Sequence, residues 1–192
     1  MVEHTVRLGM PLTEFVEQYN QQPFELIDEE NIPLSPNVAG HQEMTMKLYT
    51  LLDVLARQHN LGNVIIETPF VLSESDDWVS GSRTPDLKFY RAGRLEAYKA
   101  ATPNYKLKPY ALVPDLVIEV VSPTDRYSNL LRKVAAYLDD GVELVWLIYW
   151  QRQTINVYQA EVDQVETLRL GETLTGGEVL PGFSVTVKSL FE

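Results

Sequence analysis

The 192-residue sequence contains no cysteine, so it forms neither a disulfide nor a thiolate zinc site, as expected in a reducing cytoplasm. Long apolar runs are missing too. The longest, Leu144 to Trp150, is seven residues, far short of the roughly 20 that cross a bilayer. Glu3 precedes any apolar stretch, so neither a membrane span nor a secretory signal is expected. The three histidines, His4, His41 and His59, lack the H-E-x-x-H spacing of a zinc protease. A G-x-x-x-x-G-K-[ST] phosphate loop and a G-x-S-x-G elbow are also absent, which sets aside P-loop nucleotide hydrolysis and serine hydrolysis. There is no internal repeat, low-complexity tract or interdomain linker. With 45% hydrophobic and 22% charged residues, residues 1–192 read as one globular domain with an N-terminal arm over 1–36.

What is present is an uneven charge. The net value is −11, which argues against a protein coated in nucleic acid. Arg83, Lys88, Arg91, Arg94, Lys99, Lys106 and Lys108 face only Asp86 and Glu96 within residues 83–108, so that stretch carries +5 and the rest of the chain −16. Such a stretch is either an anion-facing surface or a solvated loop with scattered cations.

Leu12, Phe15, Val16 and Tyr19, followed by Pro23, Pro33 and Pro36, predict a short helix and a hairpin in the arm, acting as a lid or packing element. Met44, Leu48, Leu51, Leu52 and Leu55 recur at spacings of three and four before Gly62, predicting a helix over 38–60 with His41 on its buried stripe and Glu43 off it. Strands are expected at 64–68, 70–72, 86–90 and 112–121. A second helix over 126–139 has the stripe Tyr127, Leu130, Leu131, Val134, Tyr137 and Leu138, with Arg132 pointing away and Lys133 on the flank. Further strands follow at 144–149, 154–158, 166–170 and 184–187, with Gly176-Gly177 as a turn.

The chemistry lies in carboxylates inside strands. An ionised carboxylate in a half-buried sheet costs several kcal/mol unless a cation or donors compensate it. In Val113-Pro-Asp-Leu-Val-Ile-Glu-Val-Val the residues Asp115 and Glu119 are four apart, so both project from the face that carries Val117 and Val121. Glu119 sits where packing alone would call for an apolar residue; it is either paired with a buried cation or a metal ligand. A second run, Arg83-Thr-Pro-Asp-Leu-Lys, alternates Asp86 and Lys88 against Leu87 and Phe89. Carboxylates converging on one spot repel one another, and their natural partner is a hard divalent cation, Mg²⁺ or Mn²⁺. Lys133 is within reach of the same strand ends, or is an exposed solubilising lysine.

Pro85-Asp86, the string Pro114 to Pro123, a following helix with Lys133 and Tyr137, then Gly141-Val142, Trp146 and Leu180-Pro-Gly-Phe183 together resemble the Uma2 family, abundant in cyanobacteria and placed in the PD-(D/E)XK nuclease superfamily. The likeness runs from about Pro11 to Phe191. It implies an α/β fold with a restriction-endonuclease-like core, a mixed sheet flanked by helices, and additional C-terminal antiparallel strands. It also implies roles: Asp86 as the Pro-Asp metal ligand, Glu119 as the acid of the (D/E)-x-K element, and Asp115 as an extra carboxylate. Lys133 stands in for the lysine that would otherwise occupy position 121, and His41 matches a histidine where relatives often place an acid. Asn129 and Tyr149 stand where many members carry an acid.

The reading this supports is metal-dependent phosphodiester hydrolysis by an endonuclease. Asp86, Glu119 and the carbonyl of Val120 would hold Mg²⁺ (or Mn²⁺), Lys133 would stabilise developing charge, and residues 83–108 would face the backbone of nucleic acid, expected to be DNA bound weakly and salt-dependently. The alternatives are a non-catalytic protein-interaction or metal-binding domain of the same fold, and hydrolysis of a small phosphoester. A homodimer is expected, with Trp146, Tyr149, Trp150 and Tyr158 as possible contacts.

Overall fold

A computed structural model describes residues 8–73 and 75–192; the first seven residues of the expected arm lie outside it. After β1 (Met10–Pro11), α1 (Leu12–Gln21) buries Phe15 and leads into the hairpin of β2 (Phe24–Ile27) and β3 (Glu30–Pro33). Asp28 and Glu29 take φ of 49° and 66° at the turn, the left-handed pair that suits a two-residue hairpin. The first long helix, α2 (Ala39–Gln58), buries His41, Thr45, Leu48, Leu52 and Ala56 along one stripe. Then come β4 (Gly62–Ile66), β5 (Phe70–Leu72), β6 (Trp78–Val79), β7 (Gly81–Arg83), β8 (Leu87–Arg91) and α3 (Arg94–Ala101). The chain continues through β9 (Leu116–Val120), α4 (Tyr127–Asp139), β10 (Leu144–Tyr149), β11 (Thr154–Gln159), β12 (Glu166–Leu168), β13 (Thr173–Gly176), β14 (Leu180–Thr186) and α5 (Val187–Phe191).

A six-stranded mixed sheet, ordered β12-β11-β10-β9-β8-β4, forms the centre. Only β9 and β10 run parallel, joined by α4 as crossover; the other pairs are antiparallel. Alternation along β9 sends Leu116, Ile118 and Val120 to the face covered by α2, β14 and α5, and Val117 to the face covered by α4. Glu119 falls on the α4 face. A four-stranded sheet, β3-β2-β7-β5, packs with α1 around Phe15, Phe24, Leu26, Val71 and Val79.

The arm is therefore no separate lid. Its hairpin joins β7 through Leu26 and Ser82 and is tied to α4, where Arg132 reaches Asp28 at 2.9 Å and Glu30 at 2.7 Å. Two helices differ from expectation. Gly93, at φ +81°, turns the supposed basic loop into α3, whose sequence shows no stripe because only Leu95 is buried. Thr186 ends the last strand and caps α5, its hydroxyl accepting from the Ser189 N–H at 3.3 Å. The expected subunit contacts are also used internally: Trp146 is fully buried, and Trp150 packs on Gly40, where a Cβ would come within 2.8 Å of the ring.

Candidate active site

Sheet register builds the site. The β8–β9 ladder ends where Leu87 opposes Ile118, and on the other side Val121 N–H donates to the Ile148 carbonyl. The N–H and C=O of Val120 therefore turn toward β8, beyond its last paired residue. There the Val120 N–H donates to Asp86 Oδ2 at 2.7 Å, and the carbonyl of Val120 points the same way. His41, carried in by the first turn of α2, places Nε2 3.1 Å from the same Asp86 oxygen.

The α4 face supplies the rest. Lys133 and Tyr137 are four apart on the helix and so share a face. Lys133 Nζ lies 2.7 Å from Glu119 Oε1, and the Tyr137 hydroxyl donates to that oxygen. Lys133 also lies 3.3 Å from Glu25 Oε2, a carboxylate whose other oxygen accepts from the Thr84 N–H at 2.8 Å. Glu25 is 1% exposed on β2. Sequence reasoning passed over it, although its signal is that of Glu119: an acid inside an apolar strand, Phe-Glu-Leu-Ile.

Burial pushes the Glu119 carboxyl up to about 7; Lys133 opposes the rise, while the charges of Asp86 and Glu25 add to it. Burial alone would discharge Lys133, but Glu119 and Glu25 hold its ammonium charged. Burial likewise works against a charged His41, and the hydrogen bond and charge of Asp86 outweigh it, raising the imidazole. Burial among carboxylates keeps the Tyr137 hydroxyl protonated and donating.

Asp86, Glu119, Lys133 and His41 thus come together, with the Val120 backbone between them. Asp115 does not join them. It immediately precedes β9, about 13 Å along the chain from Glu119, and is held by Arg91 at 2.8 Å and Arg94 at 2.7 Å. Its role is to fasten β8 and α3 to the sheet. Among the described residues no group of three or more His, Cys, Asp or Glu is arranged to hold a metal ion; the expected set of two carboxylates and one carbonyl lies below that count.

A family described as "Uma2: Putative restriction endonuclease" matches residues 12–188. The chain belongs to the Uma2 family. No curated protein matches it. Among solved structures, the "crystal structure of a putative nuclease belonging to DUF820" from Anabaena variabilis is similar in fold, with a TM-score of 0.77 at 16% identity over 95% of this chain and 97% of that one. This Uma2 chain is thus a mixed α/β protein with the sheet architecture of that nuclease fold, and among its described residues no helix is long and apolar enough to cross a membrane.

The basic stretch of this Uma2 chain is largely consumed by the fold. Arg83 is buried against Asp140 at 3.1 Å, Lys88 is buried, and Arg91 and Arg94 serve Asp115. No continuous phosphate-facing strip of residues 83–108 results. Of the two positions where an acid is frequent, Asn129 is exposed on α4 and Tyr149 is half-buried at the end of β10.

Proposed function

We propose that this Uma2 protein hydrolyses phosphodiester bonds of nucleic acid at the cluster of Asp86, Glu119, Lys133 and His41, with a divalent cation as cofactor. The observation that carries the proposal is the placement of Asp86 and Glu119 at adjacent strand ends, with a buried ammonium on one and a backbone N–H on the other. The nuclease descriptions of the family and of the Anabaena protein support it.

The donor set fits a hard divalent cation. Asp86 Oδ1 and Glu119 Oε2 carry no hydrogen bond among the described residues, and strand alternation turns the Val120 carbonyl to the side on which its N–H meets Asp86. All three are oxygen ligands of the kind Mg²⁺ and Mn²⁺ prefer. Burial raises the proton affinity of Glu119 and the charges of Asp86 and Glu25 add to it; a cation placed beside the carboxylate would offset both. Bound there, Mg²⁺ or Mn²⁺ would polarise a phosphate and acidify a water molecule.

The chain's own groups do the remaining work. Lys133 holds its proton at Nζ and places a positive charge beside the carboxylate pair, where charge develops on a phosphate in the transition state. Glu25 anchors that ammonium from behind, so Lys133 is not free to swing away with substrate bound. Tyr137 fixes the Glu119 carboxylate from below, and His41 with the Val120 N–H fixes Asp86. All of these positions are set before substrate arrives.

Incubation of plasmid and oligonucleotide substrates with Mg²⁺ or Mn²⁺ tests the proposal. Wild type should cleave and be stopped by a chelator, and Glu119→Gln or Lys133→Met should lower the rate by about 10²-fold or more. Calorimetric titration with Mn²⁺ should show binding that Glu119→Gln weakens. Cleavage that survives either substitution, or a folded wild type that neither binds Mn²⁺ nor cuts any substrate, would overturn the assignment.

A further inference from the structure

Beside the acidic cluster, and sharing none of its side chains, is a cavity of about 320 Å³ at the C-terminal ends of β9 and β10 and the start of α4. Its walls continue those of the site. Val121 projects from the face of the strand that carries Glu119, one pleat further on, about 7 Å away. Leu130 lies one turn before Lys133 on α4, about 5–6 Å away. Between these walls stand Tyr127 and Tyr149, with Gln151 and Arg152 completing the lining.

The side chains are those of a stacking platform. Tyr127 is 61% exposed. The Arg152 guanidinium lies 6.0 Å from the centre of the Tyr149 ring. The Tyr149 hydroxyl is buried without a hydrogen-bond partner among the described residues, a condition a polar ligand can relieve. Asp125, the acid on the wall, has one carboxylate oxygen occupied by the Ser122 N–H at 2.7 Å. Flat aromatic rings and a guanidinium plane stack on bases of any identity, while hydroxyl and amide groups meet a base edge.

We propose that this cavity receives an unstacked nucleobase adjacent to the phosphate held at Glu119 and Lys133, so that the substrate is single-stranded or locally opened nucleic acid. The assignment rests on the nuclease reading for the position of that phosphate. A base still paired within a duplex cannot enter a cavity walled by a strand and a helix, so the site selects for strands whose bases are already free.

Equilibrium binding of a fluorescently labelled single-stranded 12-mer, and of an abasic oligomer of the same length, is measured in Ca²⁺ at one fixed salt concentration; cleavage is measured separately in Mg²⁺. Wild type should bind the base-bearing strand about tenfold or more tightly than the abasic one. Tyr127→Ala, at an exposed position, should abolish that preference, and Glu119→Gln should keep it while losing cleavage. Equal binding of the two oligomers by wild type, or an unchanged preference in Tyr127→Ala, would overturn the base pocket. A preference removed by Tyr127→Ala in a protein that cleaves nothing would support the pocket and refute only the hydrolytic reading. Failure of wild type to bind either strand would overturn the base pocket, and cleavage of plasmid by that same protein would leave the hydrolytic reading standing.

Discussion

Lys88 offers the most quantitative test of how charge is distributed around the site. It lies two residues from Asp86 on the same strand face, yet its ammonium is turned away to the Thr68 carbonyl, and among the described residues no carboxylate pairs with it. Burial with no compensating charge pulls its pKa down to about 7. In the unfolded chain the same group titrates near 10.4. Between these values the unfolded state binds more protons, so stability increases with pH across the window and is lost as pH falls toward 7. From pH 7 to pH 9 the contribution of this one site grows by about 2 kcal/mol. With a urea slope of about 2 kcal/mol/M, that moves the midpoint by about 1 M. His41, whose raised pKa acts in the opposite direction, affects wild type and variant alike, so the comparison with Lys88→Met isolates Lys88. Methionine keeps the length of the side chain and removes the proton; loss of the donor to Thr68 offsets the curve without giving it slope. Urea unfolding at half-unit steps from pH 7 to 9 should show the two proteins diverging. Parallel curves would mean that Lys88 keeps its proton in the fold, and the reading of it as a buried amine discharged by desolvation would fail.

The acid side of the pH–rate profile should report Glu119, with activity falling about tenfold per unit below pH 7; a flat profile from pH 5.5 to 7.5 would refute its role. Glu25→Gln retains an oxygen for the Thr84 N–H and removes one of the charges that raise Glu119, so the midpoint of that profile should move to lower pH. Asp115→Ala should leave Arg94 without its carboxylate and Arg91 with Glu143 alone, costing about 2–3 kcal/mol and lowering Tm by about 5–10 °C. Its rate per folded molecule should match wild type. Mn²⁺ titrations in buffers of different ionisation heat should show proton release near pH 6.5, because the cation displaces the proton that Glu119 holds there in part.

Periodicity exposed most of the skeleton. The stripe of Leu48 and Leu52 gave α2, the branched run Leu144 to Tyr149 gave β10 to the residue, and two carboxylates in apolar surroundings pointed to the strand ends that form the site. The failures have a common origin. Asp115 and Glu119 are equivalent by alternation, but alternation says nothing about position along the strand, and about 13 Å separates a sealed arginine clamp from the end where Asp86, Lys133 and His41 gather. The basic stretch was a sum over residues 83–108, and summation cannot distinguish Lys88, turned inward, from Lys106 on the surface. Glu25 required knowing that the β2–β3 hairpin folds back over α4, a contact about 100 residues apart in sequence that no local pattern carries.

That long-range contact gives the N-terminal hairpin a part in the proposed chemistry. Lys133 alone against Glu119 would form a closed neutral pair, and a closed pair has little charge left to offer a metal or a phosphate. Glu25 changes the balance: with Asp86 it makes three buried acids against Lys133 and a titratable His41. The cluster is left one negative charge in excess when His41 is protonated and two when it is neutral. With His41 neutral the excess of two equals the charge of one divalent cation, and no single side chain supplies that. In acid the Glu119 carboxyl, whose pKa burial and the neighbouring acids raise to about 7, takes up a proton instead, so the proposed cation and a proton compete for the same carboxylate.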